Sequence, residues 1–530
     1  MKPFAAPLDD IFFILNHVVG ADRVADYDPE MSREIAQHFA SFAEEVIAPT
    51  DEIGDKIGAK LVDGRVVLPD AVKAMFTQYV EGGWPGLMLP EEHGGMGVDG
   101  VTGGVIHEIL MGANHAFQML VSLAVGHNRV FQNFGTDAQK AKYLPLLASG
   151  DYLGTMALTE PGAGSDLGRI RTRAVQDGDV WRITGEKIFI SGGDQDMSKG
   201  VLHMVLARTG EMDSGVKGLS LFACLSDRAD GSRNAVNVTR IEEKMGLHLQ
   251  PTCQLAFDGA EAELIGAEGQ GLRAMFEIMN HARVDVALQG VAHSARAYDI
   301  ASSYAAERVQ GRGPDGPVTI DKHGDVRRML DEIDAIAMGA RAMTHLALVT
   351  LESGDNPWLL ELLTHVIKWY ASEQGLRAAE TGMQVLGGYG YLQEYRIEQT
   401  YRDLRIAAIY EGASGIHAMG VAARLLRLEN GAAMNAFVDF LKGIDGGPAL
   451  DRAVAAWEAA RAHLETGVDP GQIATPFIRL TARVLEQALW AQMAAKADHH
   501  PDPERIRRVA ALVARQSART EADLAEMTAA

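Results

Sequence analysis

A single carboxylate, Glu411, stands in a glycine- and serine-rich stretch, RDLRIAAIYEGASGI, at residues 402–416. Upstream, QVLGGYGY (384–391) closes a helical pattern. Downstream, IHAMGVAARLLRLE (416–429) opens another, with Ser414 as the expected N-cap. A carboxylate can take a proton from a weak carbon acid if burial lifts its pKa toward neutrality. A loop glutamate on its own is usually a solvated acid. The rest of the chain has to separate the two readings.

A second polar segment is TEPGAGSDLG (159–168). Its three glycines let backbone approach a ligand, and exposed N–H groups can cradle phosphate or flavin oxygens. A dinucleotide fingerprint is excluded, because the glycine spacing is wrong and a strand hairpin follows where a helix is required. A long turn between strands explains the segment equally well. FISGG (189–193) ends a strand with an aromatic, a hydroxyl and two glycines; a plain strand end is the alternative. RVQG (308–311) puts a cation and an amide where a long helix ends, a position that also complements the helix dipole. Gln384 followed by Gly387 and Gly388 offers backbone to a ligand, though C-capping accounts for the glycines. The histidines lack HExxH or paired metal spacing, so no metal is expected. His499 and His500 read as a polar helix surface. There is no GxSxG and no P-loop.

The elements that must position these groups change in texture along the chain. Residues 1–150 are helical in period, broken at 48–60 and 82–98. Residues 152–264 read as short strands. The clearest hairpin runs through 170–175 and 180–190 around a DG turn. Antiparallel strands without intervening helices point to a barrel or sandwich, not a parallel sheet. Helix returns at 271 and holds to about 428, as expected of a helix bundle, interrupted by a Gly/Pro/Asp loop at 311–324. GIDGGP (443–448) reads as a linker, and 449–530 as an Ala-rich helical tail broken at 467–476.

With 530 residues, 47% hydrophobic and 23% charged, the chain is an ordinary globular protein of several domains. A net charge of −22 argues against nucleic acid and anionic lipid as partners. Cys224 and Cys253 lie in strand-like runs without CxxC spacing and read as small buried hydrophobes in a reducing compartment. The short apolar run at 11–15 is flanked by Asp9, Asp10, Asn16 and His17, which suits an amphipathic segment packed on the body. No membrane span is expected, and a cytoplasmic location follows.

Five segments together resemble the flavin-dependent acyl-CoA dehydrogenases: MALTEPGAGSD (156–166), GEKIFISGG (185–193), NHARVDVALQG (280–290), QVLGGYGY (384–391) and RDLRIAAIYEG (402–412). They occur in that family's order and spacing, over about residues 34–428. The resemblance implies a mainly α fold with a middle β-barrel: an N-terminal helical domain (1–151), the barrel (152–268), a four-helix bundle (269–430) and a helical C-terminal extension (443–530). It implies FAD as cofactor. Met156, Leu158, Thr159, Gly164 and Ser165 would line it, with Phe189, Ile190 and Ser191 against the isoalloxazine. Arg308, Gln310, Gln384, Val385, Gly387 and Gly388 would hold the pyrophosphate and adenosine part, from a neighbouring subunit, and Ser414 would add a contact. Ser165, Asn280, Arg283 and Gly412 would bind the acyl-CoA. Glu411 would be the catalytic base.

Two departures stand out. Ala413-Ser414-Gly415 replaces a usual threonine-containing run, so a hydroxyl contact to FAD is missing. Phe189 stands where tryptophan is commoner and has no indole N–H. The N-terminal segment, the insertion at 311–324 and the extension are similar to larger bacterial members, including the 3-methylmercaptopropionyl-CoA dehydrogenases. Those imply a homodimer, with a tetramer as the alternative, and electron transfer to an electron-transferring flavoprotein. An acyl-CoA oxidase, or a flavin-binding stress or DNA-associated relative, is the competing expectation. The acyl chain is not legible.

Overall fold

A computed structural model describes residues 3–529, and the Asn280 side chain lies outside the described residues. The chain forms two compact units. One comprises residues 45–99 and 113–282; the other comprises 1–44, 100–112 and 283–530.

The first unit is built on a closed sheet. Strands Gly200–Arg208, Arg173–Asp177, Val180–Ser191, Thr252–Ile265 and Leu219–Leu225 pair in a ring, which closes where Gly200–Arg208 meets Leu219–Leu225. The barrel expectation holds, with one correction. Tyr152–Ala157 pairs parallel to Gly200–Arg208, so the sheet is not wholly antiparallel. The reason is burial: every residue of Gly200–Arg208 is buried, and such strands read as continuous apolar runs that do not declare their direction. The DG hairpin forms as expected, with Asp177 opposite Val180 and Gly178 at φ +65°. Helices Ala124–Phe134 and Asp137–Ala148 close one side of the core with Val130, Phe131, Tyr143 and Leu144. Thr136 and Gln139 form a reciprocal capping box that starts the second of these helices.

The second unit is a helix bundle. Gly324–Ser353 and Pro357–Leu386 are joined by three residues: Gly354 in the left-handed conformation at φ +64°, Asp355, and Asn356, whose side chain caps the N–H of Leu359 at 3.0 Å. Pro357 follows at the first turn, where its missing N–H costs nothing. Residues 283–307 of the helix Gly271–Glu307 and the short helices Ile397–Leu404 and Ser414–Met419 complete the bundle.

Four local expectations are corrected here. The loop at 311–324 is a small hairpin, Val309–Gly313 against Gly316–Thr319. Its Gly/Pro/Asp composition hid the pairing. Pro476 does not break the tail; it lies inside Pro470–Ala495, seven residues past the Asp469 cap. Ala413 is the N-cap of Ser414–Met419, so Ser414 is the first helical residue. His500 is buried, not on a polar surface, and bonds to Asp10 at 2.9 Å.

That last contact belongs to an ionic cluster. Arg505 bridges Asp10 at 2.9 Å and Asp334 at 2.6 Å, while Glu108 accepts from Arg341 and faces His345, each at 2.8 Å. Burial alone would raise the Asp10 carboxyl, but His500, Arg505 and Arg341 together hold it well below the usual range. The C-terminal extension is thereby tied to the N-terminal segment, whose Ile11, Phe12, Phe13, Ile14 and Leu15 are buried as expected. Both cysteines are free and buried, which pushes their thiols up to about 12. Among the described residues, no single helix is long and apolar enough to cross a membrane.

Candidate active site

Glu411 lies in a turn that the backbone adopts reluctantly. Its φ is +51° and that of Gly412 is +94°. A left-handed conformation at a glutamate costs on the order of 1 kcal/mol, so the surroundings must hold it. Gly412 has to be glycine, because a Cβ there would sit 2.9 Å from the Nε2 of His417.

One face of the helix Pro357–Leu386 does the holding. His417 bonds through Nε2 to the Glu411 carbonyl at 3.0 Å, and His365 meets the Nδ1 of His417 at 3.0 Å. A carbonyl only accepts, so the Nε2 of His417 carries the hydrogen; the His365 Nδ1 then donates to the bare Nδ1 of His417. Both imidazoles are neutral, since burial drives their pKa values far down, that of His365 to about 3. Lys368 donates from Nζ to the Gly412 carbonyl at 2.6 Å. The Ser414 hydroxyl donates to Glu373 at 2.5 Å. His365, Lys368 and Glu373 are thus spaced three and five residues apart along one helix, and all three serve this loop.

The electrostatics suit a base. Burial raises the Glu411 carboxyl above the ordinary range, Arg283 and Lys368 pull it back, and Asp285 adds to the rise. Arg283 is itself desolvated, which lowers its pKa against the opposing pull of Glu411. Lys368 is fully buried, and burial brings it down to about 8. Among the described residues, no backbone carbonyl takes the Glu411 N–H. Tyr410, next to the base, is anchored by its hydroxyl to Gln289 at 2.5 Å.

The flavin-type segments come together in the other unit. Ile188 N–H donates to the Thr159 carbonyl at 2.9 Å, which sets Met156, Leu158 and Thr159 beside Phe189, Ile190 and Ser191. Lys187 secures the junction, bonding to the Leu158 carbonyl at 2.9 Å and Glu160 at 2.8 Å. Glu160 also accepts from the backbones of Arg171 and Thr172. Phe189 stands on a break in the Val180–Ser191 to Thr252–Ile265 register, at φ +59° and 60% exposed. An aromatic held out in a strained conformation offers a flat apolar face, which is what an isoalloxazine needs. Gly164 faces open space and Ser165 is exposed; a Cβ at Gly164 would meet no protein atom, so packing does not explain its bareness. The Ile190 side chain is buried, leaving only its backbone for a ligand.

The third set also forms one place. Arg308, Gln310, Val385, Gly387 and Gly388 line a cavity of about 420 Å³ with Tyr389, over which the Arg308 guanidinium lies 5.6 Å from the ring centroid. Gln384 is exposed next to it. A cation, two bare glycines and an aromatic wall fit a nucleotide end. Ser414 is different: its hydroxyl is taken by Glu373 and the Ala408 carbonyl.

Lys368, His365, His417 and Glu373 were not singled out from the sequence, nor was the Lys187–Glu160 pair. One signal was there to be read: Lys368 sits inside VIKWY, a lysine in an apolar run. A charge at a core position needs a partner.

The fold and this set of groups are those of a flavin-dependent oxidoreductase. Family models for the acyl-CoA dehydrogenase N-terminal, middle and C-terminal domains match residues 29–151, 155–260 and 269–426, and the chain belongs to the acyl-CoA dehydrogenase family. It is 37% identical to the 3-methylmercaptopropionyl-CoA dehydrogenase of Ruegeria pomeroyi, over 88% of this chain and 84% of that one. It is 34% identical to a broad-specificity linear acyl-CoA dehydrogenase of Mycobacterium tuberculosis, over 82% of this chain and 77% of the relative. An acyl-CoA dehydrogenase from Bacillus anthracis, solved with FAD, superposes with a TM-score of 0.78 at 23% identity, across 97% of this chain and 91% of that one. The last match speaks for the fold, and it extends through the C-terminal helices. The family's cofactor is FAD, and the exposed Phe189 face and the Arg308 cavity each fit a part of it.

Proposed function

We propose that the protein removes one hydrogen from each of the α- and β-carbons of an acyl-CoA thioester, giving the trans-2-enoyl-CoA, with Glu411 as the base. The observation that carries this reading is the Glu411 carboxyl. It is raised by burial, flanked by Arg283 and Lys368, and fixed on a left-handed turn by hydrogen bonds to its own loop. A raised carboxylate is matched to a weakly acidic α-proton. Its backbone N–H is suited to meet the thioester oxygen as negative charge builds there; one such donor is typically worth ~3 kcal/mol. Gly412 is assigned to the substrate through its backbone, since its missing Cβ is what spares His417 a clash. Bound FAD supplies the hydride acceptor, its N5. Met156, Leu158, Thr159, Phe189 and Ser191 are assigned to its ring and ribityl chain, and Arg308, Gln310, Gly387 and Gly388 to an adenosine end. Ser165 and Arg283 are assigned to the substrate.

For the acyl group, the Ruegeria pomeroyi relative favours 3-methylmercaptopropionyl-CoA, and the Mycobacterium tuberculosis relative, of broad specificity for linear acyl-CoAs, favours another linear chain, short or medium in our reading. Electrons pass on to an electron-transferring flavoprotein, and the assembly is a homodimer. Anaerobic bleaching of the purified flavoprotein against an acyl-CoA panel that includes 3-methylmercaptopropionyl-CoA ranks the substrates. Glu411→Gln should keep FAD and lose bleaching by every member of the panel. Full bleaching in that variant overturns the assignment of the base.

A further inference from the structure

We propose that Lys368 is a positioning residue for the reaction: its ammonium holds the Glu411–Gly412 turn through the Gly412 carbonyl and provides the positive charge against which the base ionises. This inference rests on Glu411 being the base.

The geometry has two parts. The first is the clamp. Lys368 Nζ lies 2.6 Å from the Gly412 carbonyl oxygen, and His417 Nε2 lies 3.0 Å from that of Glu411. In a trans peptide the C=O of one residue and the N–H of the next point in opposite directions. Fixing these two carbonyls therefore turns the N–H of Gly412 away from His417 and that of Ala413 away from Lys368. It also fixes the direction in which the Glu411 side chain leaves the turn. Left-handed backbone at Glu411 would otherwise relax.

The second part is charge. The ionisable groups that act on the pair come from several elements, and His107 stands 3.1 Å from Asp285 among them. Glu373 and His365 come from the lysine's own helix. Glu411 and His417 come from the turn and the helix after it. Arg283 and Asp285 come from residues 283–307. Arg424 and Glu361 stand behind Arg283. The two histidines are neutral, and Ser414 bonds to Glu373. Lys368 is fully buried, yet its hydrogen bond goes to a carbonyl rather than a carboxylate. A lysine kept for stability alone would be expected to close on an acid within reach. Leaving its charge unclosed keeps a field on Glu411 that favours the carboxylate before the proton is taken.

Lys368→Met and Lys368→Gln separate the two parts. Glutamine keeps a neutral donor for the carbonyl; methionine keeps neither donor nor charge. Flavin absorbance reports retention of the cofactor and hence folding. Flavin reduction by saturating acyl-CoA is then followed from about pH 6 to about pH 9. A 3-thiaacyl-CoA, whose α-proton is removable but which has no β-hydrogen to give up, isolates proton removal through its long-wavelength absorbance.

With methionine, reduction should fall about a hundredfold at neutral pH, the size of effect that misplacement of a reacting group produces, with KM changed far less. In both variants the acid limb of the rate and of the 3-thiaacyl-CoA signal should move to higher pH, because a charge that lowers the Glu411 pKa is gone. The deficit should therefore shrink as pH rises. Glutamine should recover most of the rate but not the position of the acid limb.

An equal fractional loss at all pH values, or a profile superimposable on the parent's, overturns the proposal. If methionine prevents folding, the glutamine profile decides alone. Should Glu411→Gln still bleach fully, the base reading fails first. Should Glu411→Gln be dead while the Lys368 profiles match the parent's, only the role of Lys368 fails.

Discussion

Two fully buried lysines serve two functional segments in opposite ways. Lys187, in the barrel unit, and Lys368, in the bundle unit, are each 0% exposed, and burial brings each down to about 8. Each donates to a backbone carbonyl in a glycine-containing loop. The difference is the acid. Lys187 is 2.8 Å from Glu160, whose remaining acceptor capacity is filled by the Arg171 and Thr172 N–H groups. Lys368 has a carbonyl at that distance, and Glu411 and Glu373 act on it only through space. A closed pair fixes a segment and offers nothing further, since its charges cancel locally. An open lysine fixes a segment and leaves a field that a nearby carboxylate feels. Desolvation is common to both; whether the charge is closed separates, in the proposed reading, holding a flavin loop from tuning a base.

This contrast can be broken at several points. The largest effect is expected at the base: Glu411→Gln should cut flavin reduction by a factor on the order of 10³ or more, with FAD content unchanged. Stopped-flow bleaching measures it. Next comes the closed pair. Lys187→Met strands Glu160 and should destabilise the holoenzyme by about 3–5 kcal/mol, with FAD released on gel filtration. The double variant Lys187→Met/Glu160→Leu should recover much of that stability, because an apolar pair of similar size replaces the ions. If the single and double variants melt together, the pair is not the holding element. Gly412→Ala tests the turn. Its Cβ would press on His417 in a backbone at φ +94°, so it should lose about 1–3 kcal/mol of local order. Activity should drop sharply while the flavin spectrum stays native. Phe189→Leu should change melting by less than ~0.5 kcal/mol, since the ring is exposed. It should weaken FAD by no more than about tenfold, the worth of an aromatic contact beyond its area.

Much of this architecture was legible in the chain. The switch from 3.6-residue to two-residue periodicity at Tyr152, and back at Gly271, located the sheet and the bundle. Periodicity did not reveal strand direction for Gly200–Arg208, because a strand buried on both faces has no alternation to read. The hairpin at 309–319 was missed because its glycines and prolines read as loop. Pro476 was over-weighted as a breaker: inside Pro470–Ala495 it forfeits one intrahelical bond, and its ring is buried with the apolar face of that helix.

For the site, residue type left Glu411, the TEPGAGSD segment, FISGG and the RVQG and QVLGG groups each with a plain structural alternative, and it was the resemblance carried by five motifs in order that selected them. The motifs were not enough to say what makes Glu411 more than a loop acid. That came from contacts 41 to 52 residues apart in sequence, Ser414–Glu373, Gly412–Lys368 and His417–His365. No local pattern encodes such pairs, because a helix face is chosen by what packs against it. The sequence determined the groups, the glycine that the turn demands and the alternation of helix and sheet. Only the tertiary structure decided that the carboxylate would be desolvated, that its carbonyls would be pinned, and that one buried lysine would be closed by an acid and the other left open. Burial and long-range distance set a pKa, and neither is a property of a residue until the chain has folded around it.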